Sequence, residues 1–407
     1  MTWESLAFQP EFTATASNIG FGWWSNDIGG HMGGYRDDEL AARWVQLGVF
    51  SPIMRLHSSN SRWASKEPWL YRGEFAESMY TFLRLRHEML PYLYTANVAS
   101  AFEDEPIVQP LYWRFPERDE AYGKPNQYYF GPNLVVAPIV QPRDKSTHLA
   151  AVDVWVPPGR HIDIFEGLVY DGDREIRMFR NIHGLPILAP EGAIIPLDLK
   201  NRQDQSNGCE NATGYYVPVV VGKDGKFTIE EDEWDDELPA DAAPESRRSG
   251  SRKLDLKWEQ AGGRLTINTT KKDWTILFVG VTTMPEAISV TVNGVKTDLS
   301  TEPIVKESHS DLAGLEVVIP ALEDGDAFEV VLEIGADPQL TPIDPTSRVE
   351  ALLLDAQMDM GLKDKIWEAV TKRGSPVGVK VAQLNSLGLD ESLFGPIVEY
   401  VSADSRF

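Results

Sequence analysis

The spacing of apolar residues changes along this chain, and each change marks a region. Ile19, Phe21, Trp23 and Trp24 make a short apolar run over residues 19–24 that reads as a strand and leads into a glycine-rich loop at 29–34. Asp37 or Asp38 can then cap a helix with Leu40, Ala41, Trp44, Val45 and Leu47 on its apolar side and Gly48 placed to end it. Residues 49–54 read as the next strand. A longer helix follows, with Phe75, Met79, Phe82, Leu83 and Arg86 spaced by three and four and Pro91 near its end. Strand, helix, strand, helix over residues 1–104 predicts two units of a parallel α/β sheet.

From 105 to 200 the pattern shifts to period two with turn residues between the runs. Residues 135–140, 152–156 and 194–197 are strand-like, and Pro157, Pro158 and Gly159 make a turn, which predicts a β-sandwich. Residues 213–335 hold further short strands, among them 216–221, 265–268, 274–279 and 328–332, and predict a second β-sandwich. An acidic run at 230–237 and a polar stretch through Arg252 interrupt it and read as a solvated loop. The spaced ligands and turn glycine of a calcium loop are absent from that run. In the tail, 346–407, Val349, Leu352, Leu353, Ala356 and Met360 fall on one helical face. The fold class is therefore α/β plus all-β with a helical tail.

Charge narrows the partners. The chain carries 62 acidic against 38 basic residues, a net charge of −24. Such a surface repels phosphate backbones and anionic lipid, so neither nucleic acid nor membrane is expected as a partner. The 407 residues include one cysteine, Cys209, which excludes an internal disulfide. Asn211 and Asn268 stand in glycosylation triplets that matter only in a secreted protein. No signal-peptide pattern is read at the N-terminus, which leaves the location unassigned, with the cytoplasm as default. No cofactor or metal site is read.

Two segments carry candidate chemistry. Trp24-Ser25-Asn26-Asp27-Ile28-Gly29-Gly30-His31 lies where a strand gives way to a glycine-rich loop. Functional groups of parallel α/β barrels project from such strand ends. A carboxylate there can accept hydrogen bonds from two neighbouring sugar hydroxyls, and the glycines let the backbone come close to a ligand. The second segment runs from Arg43 through Phe50, Ser51 and Pro52 to Arg55 and His57, two residues that project to one side of an extended chain. Arg55 can support a carboxylate's charge, and His57 can donate to a hydroxyl. Read alone, Asp27 also fits a loop carboxylate that caps a turn, and Arg55 and His57 also fit a structural ion pair and a histidine satisfied by backbone.

Together the segments resemble the His-Asp-Ile-Gly-Gly-Phe block, and the Arg-Trp…Phe-Ser-Pro…Arg-x-His block after it, of the family 31 glycoside hydrolases. Arg84-Leu85-Arg86-His87-Glu88-Met89-Leu90-Pro91-Tyr92 is similar to that family's last barrel helix. Gln127 through Pro138, Val154 through Gly159 and Gly192 through Pro196 are similar to its proximal β-sandwich, and Phe227 through Asp232 faintly to its distal one. The resemblance implies the C-terminal part of a (β/α)8 barrel over 1–104, followed by two β-sandwiches. It implies a retaining α-glycosidase acting on an α-linked glucoside or oligosaccharide, with Asp27, His57, Arg55, Trp24 and His31 around the sugar at the cleavage point. Asn26 and His31 depart from the family's His and Phe, which puts the choice of sugar in question.

A retaining mechanism needs two carboxylates roughly 5–5.5 Å apart across the scissile bond. The family's nucleophile motif is not found in this chain, and its acid/base Asp precedes a stretch like Thr2-Trp3-Glu4-Ser5-Leu6, so both catalytic groups are expected upstream of Met1. Asp27 with Asp37 or Glu39 is the remaining internal pairing, and residues near a helix start more often serve as caps. An N-terminal barrel-half chain is accordingly a candidate partner, and the chain alone is expected to be inactive. The competing reading is a non-catalytic carbohydrate-binding or interaction module on the β-sandwiches, with Trp63 or Trp69 as a stacking platform.

Overall fold

The computed structural model describes residues 1–234, 248–298, 301–306, 312–321 and 328–404. It opens with helices α1 (Trp3–Ala16), α2 (Asp38–Val49), α3 (Gly73–Glu88) and α4 (Leu90–Phe102). Every residue of α2 from Leu40 through Val49 is buried. Arg43 and Gln46 are the polar members of that stretch; the Gln46 amide and both terminal nitrogens of Arg43 are bonded, while Arg43 Nε has no partner among the described residues. Arg43 donates to the carbonyls of Gly184 (2.7 Å), Asn181 (2.9 Å) and Arg180 (3.1 Å), and to Gln46 Oε1 at 2.9 Å. Gln46 Nε2 and Ser78 Oγ both donate to the Ile182 carbonyl at 2.7 Å. These bonds fasten α2 and α3 to the strands that follow; burial pushes the Arg43 guanidinium down to about 9.

The strand readings at 19–24 and 49–54 are corrected. A short 3-10 turn occupies Ser17–Ile19, and α2 runs on to Val49. Extended pairing is confined to a parallel bridge, Ile28 with Leu56, supported by Ile53 N–H to the Trp24 carbonyl at 3.2 Å and Ile28 N–H to the Arg55 carbonyl at 3.2 Å. Gly48 does not end its helix. A Cβ there would lie 2.9 Å from Ile28 Cδ1, so the glycine serves the close approach of α2 to this bridge. Pro91 stands in the first turn of α4, where its lost N–H costs nothing, rather than at the end of α3.

Strands β1 (Val108–Pro110), β2 (Tyr128–Phe130), β3 (Leu134–Val136), β4 (Ala150–Val156), β5 (His161–Asp163), β6 (Val169–Tyr170), β7 (Arg174–Arg180) and β8 (Ile187–Pro190) follow. They form a six-stranded sheet in the order β1-β2-β3-β8-β5-β6 and a two-stranded sheet of β4 and β7. β9 (Leu197–Asp198) pairs onward with β10 (Gly214–Val220), which also pairs in parallel with β14 (Asp273–Val279). A further sheet contains β11 (Gly225–Trp234), β12 (Arg248–Glu259) and β13 (Arg264–Thr269). It faces the β10–β14 sheet, with Trp258 and Phe278 rings 5.3 Å apart between them.

The acidic run is corrected in its first part. Residues 230–234 lie in β11, with Glu230 and Glu231 buried, and 235–247 lie outside the described residues. Glu231 pairs with Lys272 at 2.6 Å and accepts from the Tyr215 hydroxyl, and Glu230 pairs with Lys253 at 2.7 Å. Burial would be prohibitive for these carboxylates without such partners.

The tail forms helices Thr346–Asp355, Met360–Thr371, Val377–Ser386 and Glu391–Val401. Val349, Leu352, Leu353 and Ala356 join a core with Val154, Trp155, Met178 and Phe179 of the two-stranded sheet.

His161 in β5 gives a pH test of this packing. Burial pushes its imidazole down to about 4, with only the Gly159 carbonyl opposing. The unfolded chain takes up a proton near pH 6.5 that the folded chain refuses until about pH 4, so this contribution is complete above pH 6.5 and is lost as pH falls across that window. The loss is of order 3 kcal/mol. Urea unfolding at pH 7 and pH 4 should show the wild type losing that much more than His161→Gln; equal losses would place His161 in contact with water.

Candidate active site

The parallel bridge sets two loops side by side. After Ile28 the chain turns through Gly29 and Gly30, at φ of 88° and 80°, which only glycine adopts without strain. The Gly30 N–H closes the turn on the Asp27 carbonyl at 2.7 Å, and Ser59 N–H reaches the His31 carbonyl at 2.8 Å. The side chains of Asp27, His31, Arg55 and His57 therefore meet at one end of the paired segments. Arg55 Nη2 donates to Asp27 Oδ1 at 3.1 Å. His31 Nδ1 is 3.2 Å from Asp27 Oδ2, and His57 Nδ1 is 3.5 Å from Asp27 Oδ1. The two imidazoles stack with centroids 4.8 Å apart and their Nδ1 atoms at 2.9 Å. All four residues remain open to solvent, so each can exchange a present contact for a ligand.

Trp24 is not brought to this group. Its Nε1 donates to Thr13 Oγ1 at 3.0 Å, and its ring packs on Phe12 and Phe21. Asn26 is buried, and its Oδ1 accepts from Trp44 Nε1 at 2.9 Å, so this departure from the family motif serves the α2 core. His31, the other departure, does stand beside Asp27.

Asp37 and Glu39 are committed elsewhere. Asp37 caps α2 through the Leu40 N–H at 2.9 Å and accepts from Trp3 Nε1 at 3.1 Å. Glu39 accepts the Arg143 N–H at 2.8 Å, and burial pushes its carboxyl up against that bond.

Arg86 is a positioning residue that periodicity alone placed on an apolar face. Its guanidinium donates to the carbonyls of Val49 (2.6 Å), Ser51 (2.7 Å) and Pro52 (2.8 Å). It thereby satisfies the acceptor-rich end of α2 and fixes the path into Ile53 and on to His57. The signal for it was an arginine amid apolar residues at helical spacing.

Beside the group lies a cavity of about 190 Å3, lined in part by Gly29, Tyr35, Arg36, Trp63 and Tyr71. Trp63 and Trp69 are 79% and 69% exposed, and the Arg62 guanidinium sits 4.7 Å from the Trp63 ring centroid.

Residues 1–96 match the glycosyl hydrolases family 31 TIM-barrel domain, and residues 104–195 match the glycosyl hydrolase family 31 C-terminal domain. An α-xylosidase of Saccharolobus solfataricus is 28% identical over 241 residues, 57% of this chain and 31% of the relative. Alpha-glucosidase 2 of Bacillus thermoamyloliquefaciens is 27% identical over 222 residues, 54% of this chain and 27% of the relative. The chain thus spans between a quarter and a third of the length of these curated relatives. Among solved structures, a cycloalternan-forming enzyme from Listeria monocytogenes in complex with a pentasaccharide substrate superimposes with a TM-score of 0.65. It is 23% identical and covers 82% of this chain and 31% of its own. A family 31 α-xylosidase from Xanthomonas citri gives a TM-score of 0.57 at 26% identity, over 68% of this chain and 31% of its own. On these matches the chain belongs to glycoside hydrolase family 31.

Proposed function

We propose that this chain carries the sugar-gripping side of a retaining α-glycosidase active site and acts on an α-linked glucoside or oligosaccharide. The observation that carries this reading is the meeting of Asp27, Arg55 and His57 at one end of two parallel segments. Asp27 is partly exposed, and its two carboxylate oxygens can accept from two adjacent hydroxyls in exchange for their contacts with His31 and Arg55. His57 stands within reach of the same sugar. Both catalytic carboxylates come from a barrel portion outside this chain, since Asp37 and Glu39 are engaged as described.

The surface supports such a partner. Phe8, Ile19, Phe21 and Trp23 are 59%, 83%, 54% and 60% exposed around α1. Clustered exposed apolar side chains mark a contact surface. We read residues 1–104 as the C-terminal part of a (β/α)8 barrel whose earlier strands cover this face, and 105–200 and 213–335 as its two β-sandwiches.

The exposed Trp63, at a cavity with Arg62, favours a second reading, a non-catalytic carbohydrate-binding module. Co-expression separates the two. The chain alone should not hydrolyse aryl α-glucosides or α-xylosides, and co-expression with a family 31 N-terminal barrel portion should give activity. A soluble complex without activity, or turnover by the chain alone, would contradict the first reading.

A further inference from the structure

We propose that Asp27, His31 and His57 form a binding site for a divalent transition-metal ion, with zinc as the best fit. One carboxylate and two imidazoles are a donor set that zinc takes in protein sites with an open fourth position. His31 Nδ1 lies 2.9 Å from His57 Nδ1 and 3.2 Å from Asp27 Oδ2, His57 Nδ1 lies 3.5 Å from the other oxygen, Oδ1, and one ligand atom from each residue falls within 4.8 Å of the others. A tetrahedral zinc with bonds of 2.0–2.1 Å requires donor atoms about 3.3 Å apart, so one ion could sit among these atoms with small side-chain shifts.

The placement of the ring nitrogens points the same way. The Nδ1 atoms of His31 and His57 face each other and the same carboxylate. A neutral imidazole Nδ1 either donates or accepts. Which of them donates depends on the tautomer, whereas a cation would be bound by all three groups together. Imidazole nitrogen with one carboxylate suits zinc better than magnesium or calcium, which prefer oxygen alone. Arg55, on Asp27 Oδ1 at 3.1 Å, opposes a cation, but its side chain is 60% exposed, so water can take over its hydrogen bonds when this contact is given up.

His31 carries the proposal. The family motif has Phe at that position, which cannot ligate, so the site follows from this chain's departure from the pattern. A bound ion would occupy the atoms assigned above to sugar hydroxyls, and that consequence alone rests on the proposed function.

The test is calorimetric titration of the purified full chain with zinc chloride, in a buffer that does not chelate, with no sugar present. One zinc per chain is expected. His31→Phe and, separately, His57→Gln should weaken binding about tenfold or more, since each removes a ligand. His148→Gln, at a histidine paired with Asp355 outside the group, should leave it unchanged. His31 is partly exposed, so the Phe variant should keep the near-ultraviolet circular dichroism of the wild type; His57→Gln gives an independent reading if it does not. Absence of binding, or binding that survives both ligand substitutions, overturns the proposal. Because no sugar enters the experiment, its failure leaves the glycosidase reading standing.

Discussion

Asp27→Ala, in this chain complexed with a family 31 N-terminal barrel portion, is expected to lower kcat/KM for an aryl α-glucoside by two to three orders of magnitude. A hydrogen bond to a charged group contributes about 1.5–3 kcal/mol, so two such bonds to one carboxylate come to ~3–6 kcal/mol, and the lower half of that range, at 1.36 kcal/mol per factor of ten, gives the expected loss. The loss should fall mainly on kcat, because contacts to ring hydroxyls tighten as the sugar flattens toward the oxocarbenium-like transition state. His57→Ala should lose less, since a neutral donor makes the weaker bond. Steady-state kinetics of both variants check this. A loss confined to KM would mean that Asp27 holds substrate and transition state equally.

Glu399→Leu is expected to destabilise the folded chain by about 3–5 kcal/mol, the range for breaking a buried ion pair from one side. Glu399, on the last tail helix, accepts from Arg180 Nη1 at 2.7 Å, from the Tyr170 hydroxyl at 2.6 Å and from the Phe179 N–H at 2.7 Å. Arg180 also donates to Asp163 at 2.8 Å, and Arg180, Asp163 and Glu399 side chains are all fully buried. Burial pushes the Glu399 carboxyl up, while Arg180, Tyr170 and the Phe179 amide oppose it. Leucine would leave the guanidinium short of a partner where water cannot replace one. The urea unfolding midpoint reads the effect. A cost under about 1 kcal/mol, the level of an exposed pair, would show that the tail is loosely attached.

The meeting of Asp27, His31, Arg55 and His57 was legible because these residues are local, although Trp24, read with them, packs on Phe12 and Phe21 instead. Asp27 and His31 share one loop, Arg55 and His57 one extended segment, and the glycines between Ile28 and His31 announced the turn. That His31 would stack on His57 was not legible, because it depends on how two backbones 26 positions apart come side by side. Strand limits at 19–24 and 49–54 failed for a related reason. Val49 and Phe50 are apolar because they are buried at the end of α2, whereas Ile19, Phe21 and Trp23 are exposed, and apolarity without alternation does not distinguish a strand from a turn. α1 escaped notice since it contains Pro10 and lacks a clear apolar stripe. Its start is nonetheless marked by Thr2, which caps Ser5 N–H at 3.2 Å. Arg43 and Gln46 sit three residues apart inside an otherwise apolar helix. Such a pair signals a buried polar cluster, but its partners at 180–184 lie far along the chain. The first tail helix could be read from the face of Val349, Leu352, Leu353 and Ala356, although Met360, read on the same face, is exposed at the start of the next helix; Glu399 could not be read, since its partner Arg180 lies 219 residues away.

The most direct measurement is a crystal structure of this chain in complex with a family 31 N-terminal barrel portion and a sugar-shaped α-glycosidase inhibitor. Two adjacent ring hydroxyls should lie within about 2.7–3.0 Å of the Asp27 carboxylate oxygens, normal lengths for hydrogen bonds between hydroxyls and a carboxylate, with His57 in contact with the same ring. An inhibitor stacked on Trp63 or Trp69, with Asp27 still closed on Arg55 and no sugar beside it, would contradict the account.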